Sequence, residues 1–461
     1  MITGQRVGAA EYNQAVSAMT SAKKRLSALF DNGAFTEIGA FVRSGSDQAG
    51  VCAAYGFVNG TPVYAFSQDP DINKGAVSKA HAVKICKVLE LAAKNGVPVV
   101  GIYDSCGAFV EEGADALAAY GDILAAVNNL SGVVPQIAAV PGVCAGTSAV
   151  IAASADILVM TENAELYTAL GAGTGSAAQA AKNGTASVVA ADENEAFEQI
   201  RRIIAFLPQN NISPVPEFEY SASGKPVKGD AAEIAEALAD EGSLTELSAG
   251  FGKAAYTALC SVGGSSAGFV ATNKCGGRLT SDDASKIARF VRFCDAFSIP
   301  VITAVDTEGF EANAGDDLSG TVRDIAKTAN AYAEATAVKI ALVTGKAYGS
   351  AFTVLAGNTS GSDMIFAYPS AVISAMDPKA GAEFFYHDEL KGADNVSEKR
   401  KELEARFAAE YGSVYDAAAK GAVDEIVDAN TARDRIISAL DISAGKRLNK
   451  RLPKKHGNMP F

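Results

Sequence analysis

Two short segments, Asp104-Ser105-Cys106-Gly107-Ala108 and Asp306-Thr307-Glu308-Gly309-Phe310, each close a continuous apolar run with a glycine-bearing turn. A buried strand that stops this way leaves backbone N–H groups free to cradle an anion. About 40 residues after each comes a second matched element, Cys144-Ala145-Gly146-Thr147 and Tyr348-Gly349-Ser350-Ala351, set between a strand and an apolar helix-like run. A helix start offers further unpaired N–H donors. Two such donors converging on one carbonyl oxygen stabilise an oxyanion without a side chain. A lone glycine turn is explained by its φ alone, but two matched pairs at nearly constant offset are not. Pro98 returns as Pro300, 202 positions on, and Gly142 as Gly345, 203 positions on. The chain therefore reads as a duplicated domain with two oxyanion sites, one for each of two enolate-forming partners.

The elements that must hold these turns read as α/β layers with right-handed crossovers. In the first half, helices are expected over 10–31, 78–95, 114–130 and 192–206. Strands are expected over 97–103, 134–140 and 157–160, and a hairpin turns at Asn59-Gly60. The second half repeats the plan: a hairpin across Gly263-Gly264, helices over 281–297 and 322–335, strands over 301–305, 339–344 and 371–374, and a mostly helical 380–440. Residues 210–229, with three Pro among Ser and Gly, read as the connection between domains 1–222 and 223–461.

The chain has 461 residues, enough for two cores, and 48% of them are hydrophobic against 20% charged, an ordinary globular balance. A net charge of −13 argues against nucleic acid and anionic membranes as partners. The seven cysteines are scattered without a C-x-x-C pair, so neither a zinc site nor a disulfide framework is expected, and no metal is assigned. No secretory leader and no long apolar run is present, which points to a soluble, cytoplasmic protein. Gly264-Ser265-Ser266-Ala267-Gly268 imitates a nucleophile elbow but precedes a strand-like run rather than a helix. The glycines of 171–175 lack phosphate-loop or dinucleotide spacing.

On a wider set of residues the chain resembles the carboxyltransferase subunits of biotin-dependent acyl-CoA carboxylases and decarboxylases, within the crotonase superfamily. These include Phe66-Ser67-Gln68-Asp69, Ser78…His81…Lys84-Ile85-Cys86-Lys87, Leu207-Pro208-Gln209-Asn210-Asn211, Phe290-Val291-Arg292-Phe293-Cys294-Asp295-Ala296-Phe297, Lys346-Ala347-Tyr348-Gly349 and the tail Pro453-Lys454-Lys455-His456-Gly457-Asn458. The resemblance implies two tandem crotonase-like β-β-α superhelix domains. An acyl-CoA thioester would occupy the first and carboxybiotin, carried on a separate protein, the second. Carboxyl transfer would then run without a side-chain base, biotin itself taking the α proton. By the same analogy the catalytic amides lie around Gly107, Gly146 and Thr147 in the first half and Gly309, Phe310, Gly349, Ser350 and Ala351 in the second. Ala108, Ala145, Tyr348 and Thr353 would line the substrates. The implied assembly is a homo-oligomer, a trimer of dimers, with each active site shared between two subunits. The implied partners are a biotin carrier protein with a biotin carboxylase or a membrane decarboxylase subunit.

Several positions depart from that pattern. Thr147 and Ser350 stand where the family commonly has a second glycine, Phe109 where Arg is usual, and Cys106 where Gly is usual. Thr353 occupies a position associated with acyl-chain choice. Propionyl/methylmalonyl-CoA and acetyl/malonyl-CoA chemistry therefore both stay open. So does the sodium-pump decarboxylase version with methylmalonyl- or glutaconyl-CoA. Two further readings compete: a crotonase-like hydratase or isomerase using Glu111 and Glu112, and a non-catalytic assembly subunit.

Overall fold

In a computed structural model, residues 17–44, 47–169, 175–311, 320–358, 361–446 and 458 are described. The start of the expected 10–31 helix, the glycines of 171–174 and nearly all of the basic tail lie outside them. The chain divides into two compact units, 1–214 and 215–461.

The first unit is built on a seven-stranded sheet. Its order is Phe35–Ile38, Val51–Val58, Thr61–Gln68, Val99–Ile102, Gln136–Val140, Ile157–Thr161 and Val188–Ala190. The first three strands pair antiparallel, and Asn59 and Gly60, both at positive φ, close the hairpin between the second and third. From Thr61–Gln68 onward the pairing is parallel. Gln136–Val140 and Ile157–Thr161 are buried at every position, as parallel strands covered on both faces must be. Helix Lys79–Asn95 covers one face. Ser78 caps its start and Gly96, in the left-handed conformation, ends it. Ile85, Val88, Leu89 and Ala92 form its buried stripe, packed with Phe66, Ile123 and Leu158. Each such large side chain contributes about 1.5–3 kcal/mol by leaving water.

The second unit repeats this order with Thr245–Glu246, Tyr256–Val262, Ser265–Ala271, Val301–Thr307, Lys339–Tyr348, Met364–Ala367 and Glu425–Ile426. Again an antiparallel hairpin, here turned by Gly263 and Gly264 at positive φ, leads into parallel strands. Helix Ser281–Ala296 takes the place of Lys79–Asn95, with Thr280 and Asp283 forming a capping box. Its core holds Phe269, Ile302, Leu342 and Phe366.

A short parallel ladder lies beyond the sheet proper in each unit. In the first, Val143–Ala145 pairs with Glu165–Tyr167. In the second, the far end of Lys339–Tyr348 pairs with Val372–Ser374. These ladders carry the chemistry-bearing glycines.

The structure differs from the expectations at particular places. Within the described part of the expected 10–31 helix, residues 18–20 break the run after Ser17, and Thr20 caps helix Ser21–Leu29, its hydroxyl accepting the Lys23 N–H. Within the expected 210–229 connection, Glu217 and Ala222 already bridge to Ser265 and Asp240 of the second unit. In the helical 380–440 stretch, Glu425–Ile426 extends the sheet edge beside Met364–Ala367. Among the described residues no helix is long and apolar enough to cross a membrane.

Candidate oxyanion-binding turns

In the first unit the chain leaves Val99–Ile102 and turns through Ser105 into Gly107, at φ +118°. Ser105 N–H donates to Val143 O at 2.6 Å, and Ala145 N–H donates to Ser105 O at 3.0 Å, so the turn is stitched onto Val143–Ala145. The Ser105 hydroxyl donates to Gly107 O and accepts the Gly107 N–H, each at 3.2 Å. Gly107 O also accepts the Val77 N–H at 2.8 Å, and Phe109 N–H returns to Val77 O at 2.9 Å. Between these bonds the Ala108 N–H is left without a partner among the described residues.

Across from this turn, Gly146 sits at φ +66° and donates its N–H to Tyr167 O at 2.8 Å. The Gly146 amide is thereby committed to structure. Among the described residues the N–H of Thr147, which opens helix Thr147–Ala153, keeps no partner. A Cβ on Gly146 would lie 4.0 Å from Gly107 Cα, so the two glycines face each other with no side chain between. Ala145 is buried in the ladder opposite Tyr167.

The second unit repeats these bonds with different residue types. Gly309 has φ +113° and Gly349 φ +52°. The Thr307 hydroxyl accepts the Gly309 N–H at 3.3 Å and lies 3.0 and 3.1 Å from the carbonyls of Gly277 and Gly309. Leu279 N–H donates to Gly309 O at 2.9 Å, Glu311 N–H to Leu279 O at 2.8 Å, and Gly349 N–H to Ser374 O at 2.9 Å. Phe310, Ser350 and Ala351 keep N–H groups without partners among the described residues. A Cβ on Gly309 would start 4.0 Å from Tyr348 O. Thr353 lies exposed on helix Ser350–Leu355, its hydroxyl bonded back to Gly349 O at 3.1 Å.

Two aspartates lock the turns, a role the sequence motifs contain but do not announce. Asp104 N–H donates to Gln68 Oε1 at 3.1 Å, and its carboxylate is ion-paired with Arg25 at 2.8 Å. Asp306 N–H donates to Thr272 Oγ1 at 2.9 Å, and Asp306 Oδ1 accepts the Lys346 N–H at 2.8 Å. Burial pulls the Arg25 pKa down, but its bonds and charges with Glu193 and Asp104 outweigh that and raise it. Lining up the halves at the 202-residue offset superposes Asp104 on Asp306 and Ser105 on Thr307, a signal the sequence carries.

The titratable groups near the turns are tuned by burial. Burial pushes the Cys144 thiol well up. Burial raises Tyr120, with Cys144 adding a smaller push, against the opposing hydrogen bond to Ser148, whose Oγ lies 3.1 Å from the Tyr120 hydroxyl. Tyr348 is pushed up to about 12 by burial and then by Glu308, Asp377 and Asp306. His81 is pulled down to about 3, mainly by burial, and stays neutral at physiological pH. Among the described residues no group of three or more His, Cys, Asp or Glu is placed to hold a metal.

The two turns differ in charge. Where the first has Ala76, Cys106 and Val143, the second has Arg278, Glu308 and Lys346. Lys346 pairs with Glu308 at 2.7 Å and Arg278 with Asp377 at 3.1 Å.

Comparison with known proteins gives these paired turns a context. Residues 18–459 match the carboxyl transferase domain family. The chain is 35% identical to the methylmalonyl-CoA decarboxylase subunit alpha of Propionigenium modestum, covering 97% of this chain and 94% of that one. It is 33% identical to the propionyl-CoA carboxylase beta chain of Cereibacter sphaeroides, over 96% and 94%. A crystal structure of transcarboxylase 12S, described as a hexamer assembly with methylmalonyl-coenzyme A and methylmalonic acid bound, superposes with a TM-score of 0.90 at 32% identity, over 98% and 94% of the two chains. The tandem crotonase-type α/β fold is thus that of the carboxyltransferases. With a family match spanning nearly its whole length and relatives above 30% identity across both units, the chain belongs to the carboxyl transferase family.

Proposed function

We propose that this enzyme moves a carboxyl group between carboxybiotin on a separate carrier protein and a short-chain acyl-CoA, with methylmalonyl/propionyl-CoA the favoured pair. The observation that carries the reading is the repeated facing of two glycine turns, each pair leaving amides without partners. In the first unit Ala108 and Thr147 would hold the thioester oxygen beside Gly107 and Gly146. In the second, Phe310, Ser350 and Ala351 would hold the ureido oxygen beside Gly309 and Gly349. The second cradle fits a ureido carbonyl: its amides lie beside Gly309 and Gly349, which carry no side chains of their own. Carboxybiotin supplies the transferable carboxyl group. The chain's part is to hold two oxygens where negative charge develops, for which each donor contributes about 10²–10³ in rate. Thr147 and Ser350 still supply backbone N–H groups, so the departures from glycine are compatible with this role.

The proposed partners are further copies of the chain, as a trimer of dimers, with the carrier and either a biotin carboxylase or a membrane decarboxylase subunit, in the cytoplasm. A hydratase built on Glu111 and Glu112 is disfavoured, because Glu112 is already engaged: it accepts the Lys79 N–H at 2.6 Å and the Ser44 hydroxyl at 3.1 Å. The deciding experiment is decarboxylation of methylmalonyl-CoA and of malonyl-CoA by the purified protein with free biotin. Turnover of either supports carboxyl transfer and names the acyl group. If both are bound but not turned over, glutaconyl-CoA is the next substrate to assay. Silence without acyl-CoA binding supports the assembly subunit instead.

A further inference from the structure

Arg278 breaks the symmetry of the two turns. Counted back by the 202-residue offset, its place in the first unit is Ala76. There, nothing among the described residues lies within 4 Å of where a side chain on Gly107 would begin. In the second unit the equivalent spot beside Gly309 has Arg278 Nη1 at 3.5 Å. The arginine is held from behind. Its Nη2 pairs with Asp377 Oδ2 at 3.1 Å, and Asp377 is itself fixed, capping helix Pro378–Phe385 by accepting the Ala380 N–H at 2.9 Å. Only that one nitrogen is used on the carboxylate. Among the described residues Nη1 makes one long bond, 3.4 Å to Phe310 O. A guanidinium carries five donors in a rigid fork and matches planar oxygen groups with two of them. Here one edge is anchored, and Nη1 lies against the residue whose amide is without a partner. About a third of the side chain is open to solvent, so a ligand can reach it.

We propose that Arg278 donates from Nη1 to the substrate oxygen lodged at Gly309–Phe310 and Ser350, giving the second turn a full positive charge that the first lacks. This rests on the carboxyltransferase reading of the second turn. Charge-assisted donors are about twice as strong as neutral ones, so the second turn favours the oxygen that carries more negative charge. That oxygen is the ureido oxygen of biotin as its carboxyl group departs. Asp377 acts as a positioning residue, through Arg278 alone.

The test compares the full-length protein with Arg278→Gln, Arg278→Ala and Asp377→Asn. Asn keeps the helix cap while loosening the arginine. Two readouts are taken: binding of free biotin, by ligand-observed NMR, and decarboxylation of methylmalonyl-CoA with free biotin. For Arg278→Gln the expected result is weaker biotin binding and a rate at saturating acyl-CoA about 10²-fold lower. The acyl-CoA KM stays within about twofold, since the first turn is untouched, and the melting temperature is unchanged. Guanidinium ion in millimolar amounts restores part of the activity of Arg278→Ala, and Asp377→Asn falls between wild type and Arg278→Gln. If wild type is active and Arg278→Gln matches it in both readouts, Arg278 is not a donor and only this inference falls. A lowered melting temperature, with both KM values shifted and no rescue, makes Arg278 a structural clip and also overturns it. If Arg278→Gln does not fold, Asp377→Asn decides by the same biotin readout. A wild type that neither binds biotin nor turns over overturns the carboxyltransferase reading and this inference with it. A wild type that binds biotin without turnover leaves the binding comparison to decide.

Discussion

A side chain on Gly142 would begin 2.8 Å from both carboxylate oxygens of Asp104. The same relation holds in the second unit between Gly345 and Asp306, whose carboxylate would overlap any Cβ at that position. Each aspartate thus lies against a glycine of the neighbouring segment, Gly142 in the bend between Gln136–Val140 and Val143–Ala145 and Gly345 within Lys339–Tyr348, which brings the first turn of each half into register with its second.

Gly142→Ala therefore has to push Asp104 off Arg25. Overpacking at such a contact costs about 1–3 kcal/mol, and the ion pair is displaced with it. The expected outcome is a fall of that size in unfolding free energy by urea titration, together with a loss of turnover. A variant as stable and as active as wild type would mean that the aspartate does not hold the turn.

Thr147→Pro and Ser350→Pro each delete one amide at the first position of a short helix, where proline's fixed φ is tolerated. Neither amide has a partner among the described residues, so stability is expected to stay within about 1 kcal/mol of wild type. Turnover is expected to fall about 10²–10³-fold. Thr147→Gly and Ser350→Gly keep the amide and are expected to stay within a few-fold of wild-type rate. Proline variants that work normally would rule these amides out as oxyanion donors.

The glycine turns were legible in sequence because backbone chemistry needs glycine at positive φ, and glycine is a visible letter. The hairpins at Asn59-Gly60 and Gly263-Gly264 were legible for the same reason. The resemblance points to Thr147, Phe310, Ser350 and Ala351 together with the glycines, but which of these amides are already used inside the fold was not legible. Gly146 and Gly349 stood out by type, yet their N–H groups go to Tyr167 and Ser374, carbonyls on strands too short to leave a pattern. Arg278 was hidden too, because it reaches the turn from a separate loop, and only the distance to Gly309 reveals it. The break before helix Ser21–Leu29 turns on one threonine cap, a local bond that apolar periodicity does not report.

Cys106 is exposed on the first turn and Cys275 is exposed on the loop before Arg278, while Cys52, Cys144, Cys260 and Cys294 are buried. Iodoacetamide should therefore footprint the two substrates separately. Methylmalonyl-CoA at ten times its Kd is expected to slow alkylation of Cys106 about tenfold by occupancy, with Cys275 unaffected. Free biotin is expected to do the reverse. Peptide mass spectrometry reads both sites in one sample. Protection of Cys275 by the acyl-CoA would exchange the substrate assignment of the two units.

Lys286 and Lys84 stand at the same place in the two halves, 202 positions apart, and both are buried. Lys84 meets Glu37 at 3.0 Å. Lys286 instead donates to two carbonyls, Ala255 O at 2.8 Å and Gly252 O at 3.3 Å. Burial, helped by Lys274, pulls its pKa down to about 8. Below that pH Lys286 is protonated in the folded and unfolded chain alike, and folding bears the full cost of burying the charge. Between about 8 and the unfolded value of 10.5 the folded chain has released the proton and the unfolded chain still holds it. The unfolded state then binds more protons, so this residue's contribution to stability rises with pH. Urea unfolding of wild type and Lys286→Met at fixed protein concentration, from pH 7 to 10, isolates it from the other titrating groups. The difference between the two is expected to move in favour of wild type above pH 8, by about 2–4 kcal/mol in all. A difference that stays flat across that range would mean that Lys286 keeps its charge in the folded protein, with the two carbonyls solvating the ammonium as well as water does.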